Sequence, residues 1–126
     1  MVNVVAAVIK ENDKILIAKR NLKKSQGGLW EFPGGKIEVG ETSEEALIRE
    51  IKEELDVNIT VDKYLTEEKF IYPEKEINLI AFKAKILSGE LTLNEHEQIE
   101  WIDKKSLDNY KFAPADKFIV EYLKQN

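Results

Sequence analysis

The stretch from Gly35 to Val57 reads GKIEVGETSEEALIREIKEELDV and joins a glycine turn to a helix-forming segment. Glu50, Glu53 and Glu54 fall on one face of that helix, because side chains three and four positions apart lie above one another. Like charges at these spacings repel by about 0.2–0.5 kcal/mol per pair. A hard divalent cation such as Mg²⁺ would turn this repulsion into coordination, since it takes oxygen ligands. The stretch therefore predicts a carboxylate metal site, with a solvated acidic helix face as the alternative.

The spacing within this stretch resembles the Nudix box of the Nudix hydrolase superfamily. That pattern is a glycine, five residues, a glutamate, seven residues, and then arginine, glutamate, an apolar residue, any residue, two glutamates, any residue, a glycine and an apolar residue. The matching positions are Gly35, Glu41, Arg49, Glu50, Ile51, Glu53, Glu54 and Val57. Asp56 stands at the family's late glycine, just past the helix, where a left-handed backbone is favoured. Because Asp tolerates that conformation better than most residues, we expect an intact turn at a modest cost.

The resemblance implies an α/β architecture, the Nudix fold, in which a mixed β-sheet is sandwiched between α-helices. It implies a single Nudix hydrolase domain over residues 1–126. It also implies that Glu50, Glu53 and Glu54 bind the metal, with the Gly34 carbonyl completing the site. The expected cofactor is Mg²⁺, for which Mn²⁺ substitutes.

Composition and charge narrow the class of protein. With 126 residues, 43% of them hydrophobic and 34% charged, the chain is typical of one globular domain with a real core. It has no cysteine and a single histidine, which argues against disulfides and against a zinc site. No segment approaches the ~18 apolar residues of a membrane span and no signal peptide stands out, so we expect a cytoplasmic enzyme, monomeric or homodimeric. A net charge of −5 argues against a nucleic-acid polymer as partner, but allows a small anionic ligand whose charge a metal offsets.

The hydrophobic pattern predicts alternating strands with two helices. The predicted elements are strands at 2–9, 15–18 and 29–32, a sharp break at 33–35, a helix from Thr42 or Ser43 to about Leu55, strands at 57–71, 77–86 and 97–102, and a closing helix entered through Pro114. The apolar stripe of the first helix is Leu47, Ile48, Ile51 and Leu55, beside the carboxylate face. Ala46 falls among the glutamates, where we expect it to leave room for a ligand.

The resemblance extends beyond the box to the MutT group, which hydrolyses nucleoside triphosphates. The segment WEFPGGKIE at residues 30–38 resembles that group, and so does Pro114-Ala115-Asp116. In the MutT group, the last residue of such a tripeptide lies against the nucleobase of the substrate. Together with Glu95-His96, residues 113–116 look closest to the bacterial CTP pyrophosphohydrolase and 8-oxo-dGTP diphosphatase branch. We expect His96 itself to be a structural neighbour of the site and assign it no catalytic role.

Catalysis needs a base that takes the proton from the attacking water, and the resemblance offers two glutamates. Glu50 is expected to serve as base or metal ligand. Glu95 is the other candidate base, unless it is simply an exposed loop residue. Arg49 is expected to orient Glu50 by a charge-assisted hydrogen bond, with a surface ion pair to Glu45 or Glu53 as the alternative.

The candidate substrate-binding residues are Arg20, Glu31, Phe32, Pro33, Gly34, Lys36 and Asp116. Arg20 either reaches the base or phosphates or is a strand-end charge, and Lys36 either contacts phosphate or is solvated. Phe32 stacks on the base, packs in the core, or does both. Asp116 either accepts a hydrogen bond from the base or caps the last helix, a position that Asp also favours.

These features predict an Mg²⁺-dependent nucleoside triphosphate pyrophosphohydrolase that releases a nucleoside monophosphate and pyrophosphate. The expected substrate is a small-molecule nucleoside triphosphate, such as 8-oxo-dGTP or (d)CTP and its modified forms. One alternative is a Nudix hydrolase for ADP-ribose or a dinucleoside polyphosphate, which the tripeptide at 114–116 disfavours. Another is a non-catalytic nucleotide-sensing domain, which the complete set of box glutamates disfavours. The sequence does not decide which nucleobase is preferred. An ionised Asp116 only accepts hydrogen bonds and fits cytosine or guanine, whereas a protonated Asp116 suits an 8-oxopurine.

Overall fold

The structure, a computed structural model, describes residues 1–126, and its strands and helices follow the predicted order. The strands are β1 (Val2–Glu11), β2 (Lys14–Lys19), β3 (Trp30–Glu31), β4 (Gly34–Lys36), β5 (Asn58–Tyr72), β6 (Lys75–Ser88) and β7 (Gln98–Ile102). The α-helices are α1 (Ser43–Leu55) and α2 (Lys117–Gln125), with short 3₁₀ helices at Lys104–Asn109 and Pro114–Asp116. The strand order is β3-β2-β1-β6-β5, with β4 paired to β1 and β7 paired to β2.

Strand β1 forms the centre of the sheet. It pairs in parallel with β6 and antiparallel with β2 and β4, so the sheet is mixed. Val5, Ala7 and Ile9 pack with the buried face of α1, whereas Ala6 and Val8 pack with that of α2. Because a helix covers each face, β1 is a continuous apolar run and does not alternate. The predicted α/β architecture, a mixed sheet between helices, is confirmed.

Local sequence signals set both ends of α1. Thr42 Oγ1 accepts a hydrogen bond from the Glu45 N–H at 3.1 Å, and the Glu45 carboxylate accepts one from the Thr42 N–H at 2.9 Å. This capping box pairs donors that a helix start would otherwise leave free. At the other end, Asp56 adopts a left-handed conformation with φ 58°, and its N–H donates to the Lys52 carbonyl at 3.0 Å. The turn expected at the family's glycine position is intact.

Two local expectations about α1 are wrong. Ile48 is 40% exposed at the edge of the apolar stripe, while Ala46 is fully buried, because α1 turns its Ala46 side toward the sheet. Ala46 therefore leaves no room for a ligand. The chain breaks after β3 as expected, and Gly34 then begins the short strand β4, where it lies so close to Val5 that a Cβ atom would overlap the Val5 carbonyl oxygen.

Neither α-helix has the length and apolar character needed to cross a bilayer.

Candidate active site

Strand β4 lies directly against the carboxylate face of α1. A Cβ atom at Gly35 would overlap the Glu50 carboxylate, so this close approach requires glycine. The Glu50 side chain is held against the backbone and is only 16% exposed. The glycine that opens the sequence motif therefore makes room for Glu50, the first of the three glutamates of the expected metal site.

Arg49 connects the two parts of the motif by hydrogen bonds. Its Nε and Nη2 donate to the two carboxylate oxygens of Glu41 at 2.6 and 2.9 Å. Its Nη1 donates to Glu50 Oε2 at 3.0 Å, and Nη2 also donates to the Lys36 carbonyl at 3.0 Å. Hydrogen bonding to Glu41 raises the pKa of the Arg49 guanidinium above its ordinary value. The hydrogen bond expected between Arg49 and Glu50 is present, and the main ionic partner is Glu41, which sequence reasoning did not pair with it.

The three glutamates of the expected metal site, Glu50, Glu53 and Glu54, occupy different environments. Glu54 is 13% exposed, and its Oε1 is buried without a hydrogen-bond partner. Burial raises the pKa of Glu54 to about 9, with further contributions from the carboxylates of Glu31 and Glu50. Glu53 is 59% exposed and lies 3.4 Å from Arg49. As the side chains stand, no three carboxylates or histidines converge closely enough to hold a metal ion. Glu50 and Glu54 form the buried pair, and Glu53 stays at the rim.

A buried carboxylate oxygen without a partner requires a positive neighbour or a proton. An unpaired buried charge costs free energy, and the proton retained by Glu54 offsets that cost in the metal-free chain. A hard divalent cation beside Glu50 and Glu54 would let both carboxylates ionise, since carboxylate oxygens are its preferred ligands. The donor set therefore fits a divalent cation.

The loop after β6 closes the carboxyl end of α1. The Thr92 N–H donates to the Leu55 carbonyl at 2.9 Å, and the Asn94 N–H donates to the Glu54 carbonyl at 3.1 Å. These are carbonyls that a helix end would otherwise leave unpaired. The docking brings the two residues that follow Asn94 beside the buried carboxylate of Glu54.

His96 is a structural neighbour of the site, as expected, and its partner is Glu31, which sequence reasoning did not identify. Its buried ring donates from Nε2 to Glu31 Oε2 at 2.7 Å and lies 3.9 Å from Glu54 Oε1. Glu31 also accepts a hydrogen bond from Arg20 Nη1 at 2.7 Å. Although burial acts to raise it, these two partners hold the pKa of Glu31 below its ordinary value. His96 and Arg20 therefore fix Glu31 as an ionised carboxylate. The adjacent Glu95-His96 motif was the only sequence signal for this contact.

Glu95 reaches the same polar crevice as Glu31 and Glu54 but is more exposed. Its carboxylate pairs with Lys24 Nζ at 2.6 Å, and its side chain is 46% exposed. The hydrogen bond from Lys24 holds the pKa of Glu95 below its ordinary value. In this arrangement Glu95 is a weaker proton acceptor than an unpaired carboxylate.

A cleft of about 240 Å³ opens beside these residues. Its wall includes Glu31, Gly35, Lys36, Tyr72, Ala115 and Asp116. Asp116 is buried, and its Oδ2 accepts a hydrogen bond from the Phe32 N–H at 2.9 Å. Asp116 occupies the N-cap position of α2, but its side chain makes no capping hydrogen bond to that helix. Burial, reinforced by the Glu31 charge, raises the pKa of Asp116 to about 8.

The aromatic side chain on the cleft wall is Tyr72, not Phe32. The Phe32 ring is buried and stacks on Phe112 with centroids 5.2 Å apart, which matches the core alternative for this residue. Pro33 is also buried, and its carbonyl accepts a hydrogen bond from the Ala7 N–H at 2.8 Å. Tyr72 lies at the end of a long strand, far along the chain from the motif, and no local pattern marked it.

The NUDIX domain family matches residues 1–123. The chain belongs to the NUDIX family. Among its relatives, CTP pyrophosphohydrolase of Escherichia coli (strain K12) is 38% identical over 121 residues, which cover 96% of this chain and 90% of that protein. The 8-oxo-dGTP diphosphatase of the same strain is 35% identical over 123 residues, covering 96% of this chain and 94% of that protein. The solution structure of the E. coli ORF135 protein superposes with a TM-score of 0.82 at 36% identity, covering 98% of this chain and 86% of that one. The Nudix resemblance of the sequence is thereby confirmed.

Proposed function

We propose that this protein is a MutT-like, Mg²⁺-dependent nucleoside triphosphate pyrophosphohydrolase that acts in nucleotide pool sanitation in the cytoplasm. The observation that carries the proposal is the buried Glu50–Glu54 pair, with an unpartnered Glu54 oxygen, next to the cleft that contains Asp116. Glu31 connects the two, because it lines both the crevice at Glu54 and the cleft at Asp116. The relatives named CTP pyrophosphohydrolase and 8-oxo-dGTP diphosphatase support (d)CTP and 8-oxo-dGTP as candidate substrates.

In this proposal Glu50 and Glu54 are the principal metal ligands, and Glu53 and the Gly34 carbonyl complete the set. A bound Mg²⁺ neutralises phosphate charge and lowers the pKa of bound water, and Mn²⁺ is expected to substitute for it. Arg49 holds one oxygen of Glu50 and leaves the other carboxylate oxygen free. The protein's contribution is thus to hold one carboxylate oxygen each of Glu50 and Glu54 where a metal ion would bind. Positioning and electrostatic stabilisation of this kind account for most of the catalysis of phosphoryl transfer.

Of the two candidate general bases Glu50 is the stronger, as the alternative to its role as metal ligand. It lies largely covered against β4 and is oriented by Arg49, whereas Glu95 is paired with Lys24 and half exposed. Lys36, exposed on the cleft wall, is positioned to attract the polyphosphate. Arg20 acts through Glu31 in this arrangement and does not itself bind substrate.

The reaction assignment is tested by its products and its metal dependence. We expect pyrophosphate and nucleoside monophosphate from 8-oxo-dGTP, dCTP or CTP with Mg²⁺, and no turnover in excess EDTA. Chromatography of a panel of ordinary and modified triphosphates, with ADP-ribose and a dinucleoside polyphosphate as comparisons, measures both. Free phosphate with nucleoside diphosphate, or full turnover in EDTA, would contradict the proposal.

Asp116 is proposed to read the base, and two substitutions test it. Asp116→Ala is expected to lower kcat/KM for the preferred nucleotide by roughly 10- to 100-fold and to flatten the preference, because the base edge loses its partner. Asp116→Asn is expected to keep the wild-type preference below about pH 8, where a protonated Asp116 both donates and accepts as an amide does. Above that pH the wild-type carboxyl ionises and the two preferences diverge. The measurement is kcat/KM across the substrate panel at about pH 7 and about pH 9, and an unchanged ratio between substrates in both variants would remove Asp116 from the site.

A further inference from the structure

A second cavity, of about 480 Å³, lies between the last turn of α2 and the strands β1, β5 and β6. It shares no lining residue with the catalytic cleft or with the crevice at Glu54. Its size falls within the ~300–1,000 Å³ typical of small-molecule sites. It is therefore a separate concave surface whose chemistry the catalytic reaction does not use.

Three lysines meet on the sheet face that forms one wall of this cavity. Lys63 of β5 lies directly opposite Lys83 of β6, and Lys83 is in turn paired with Val8 of β1. Lys10 is two residues beyond Val8 and so points to the same face. Like charges directly opposite each other on neighbouring strands destabilise a sheet. The arrangement costs stability unless an anion offsets it.

No ion pair within the chain offsets these three lysines, although Asp13 and Asp62 lie nearby. No carboxylate lies within salt-bridge distance of Lys10, Lys63 or Lys83, although ion pairs occur elsewhere on the surface. Lys104, the fourth lysine of the wall, donates to the Asn126 main-chain oxygen at 2.6 Å. Asp13 is the one acidic side chain on the wall. In a chain of net charge −5, this cavity is a local cationic site.

The wall formed by α2 carries Tyr122 and Leu123, and further apolar side chains, Val8, Ile15 and Leu65, line the cavity from the strands. A ligand that fits both walls has an anionic group and an apolar or aromatic body. We propose that this cavity is a second, non-catalytic binding site for a phosphorylated small molecule of the nucleoside phosphate class, with the phosphate on Lys10, Lys63 and Lys83 and the ring system against Tyr122 and Leu123.

The probes are 5′-AMP and inorganic phosphate, titrated separately into the ¹⁵N-labelled protein in EDTA. Amide shifts distinguish the two sites by position, and no turnover is needed. We expect 5′-AMP to shift amides of the lysine-bearing strand segments and of the last turn of α2. Inorganic phosphate should shift the strand amides alone and bind more weakly, because it makes no contact with the apolar wall.

Lys63→Gln is the decisive variant, and Lys69→Gln is its matched control. Both lysines are exposed on β5 and neither has an ion-pair partner, but Lys69 faces Asn78 and lies outside the cavity. Lys63→Gln is expected to weaken 5′-AMP binding by about tenfold, the equivalent of one lost charged contact, and to raise the unfolding temperature of the free protein by relieving its repulsion with Lys83. Lys69→Gln should do neither. Equal weakening by both variants, shifts confined to the catalytic cleft, or no shifts at millimolar 5′-AMP would overturn the proposal and leave the proposed catalytic function untouched.

Discussion

Glu54→Gln is expected to lower turnover by about a thousandfold while making the metal-free protein more stable. A metal ligand supplies several kcal/mol of transition-state stabilisation, and each 1.36 kcal/mol is a factor of about ten. The stability gain has a different cause, because the buried Glu54 has no partner for Oε1 and burial raises its pKa to about 9. A glutamine side chain is neutral at every pH, so it brings neither a buried charge nor the cost of retaining a proton.

The gain depends on pH in a defined direction. The folded chain keeps the Glu54 proton that the unfolded chain releases near pH 4, so the wild-type protein loses stability as pH rises from about 4 to about 9. The variant lacks this loss and should be more stable by about 1–3 kcal/mol near pH 8. Denaturant unfolding in EDTA across this range measures the difference. Added Mg²⁺ should then stabilise the wild type more than the variant.

Glu53→Gln is the matched control for the stability effect. The Glu53 carboxylate is mostly exposed, so this substitution is expected to leave the metal-free unfolding curve unchanged at every pH. A Glu54→Gln protein that is less stable than the wild type near pH 8 would show that Glu54 is a paired structural carboxylate and not an open ligand.

Arg49→Lys is expected to lower kcat by roughly a hundredfold with little change in KM. Arg49 makes a two-point pair with Glu41, holds Glu50 at 3.0 Å and binds the Lys36 carbonyl. A lysine ammonium has one centre and cannot keep this fork, so Glu50 is released from its position although the positive charge remains. Steady-state kinetics on the preferred triphosphate separate kcat from KM.

Glu38→Gln serves as the control for that substitution. Glu38 also faces Arg49, but at 3.8 Å and with a side chain that is 67% exposed, so its loss should leave kcat near the wild-type value. If Arg49→Lys raises KM and leaves kcat unchanged, the arginine binds substrate and does not position Glu50.

The sequence predicts those parts of the site that local rules govern. Thr42 at the start of α1 and Asp56 beyond its end both behave as their residue types dictate. Helical spacing places the three glutamates on one face, but it does not reveal that Glu54 is largely buried beside Glu31 and His96 while Glu53 stays in solvent. Burial depends on what packs against the helix, and that information lies elsewhere in the chain.

Long-range contacts account for the parts that sequence reasoning missed. Glu31 and His96 are far apart in the chain and meet because β3 and the start of β7 both pair with β2 and the loop before β7 docks on the end of α1. Tyr72 reaches the cleft from the end of β5. Asp116 accepts a hydrogen bond from the Phe32 N–H, which lies far away in the chain. The 3₁₀ helix at Lys104–Asn109 was also missed, although Asp103 caps it through Ser106.

The parallel pairing of β1 with β6 has a consequence for how the chain is made. Val2 lies opposite Ile77 and Ile9 lies opposite Ala84, so the central strand has no partner on that side until most of the protein has been synthesised. Pairing across so long a loop carries a large entropic cost and slows folding. The nascent chain leaves the ribosome with its most apolar strand exposed, and during this interval aggregation competes with folding. The interval before β6 emerges is therefore when the apolar strand β1 is most open to aggregation.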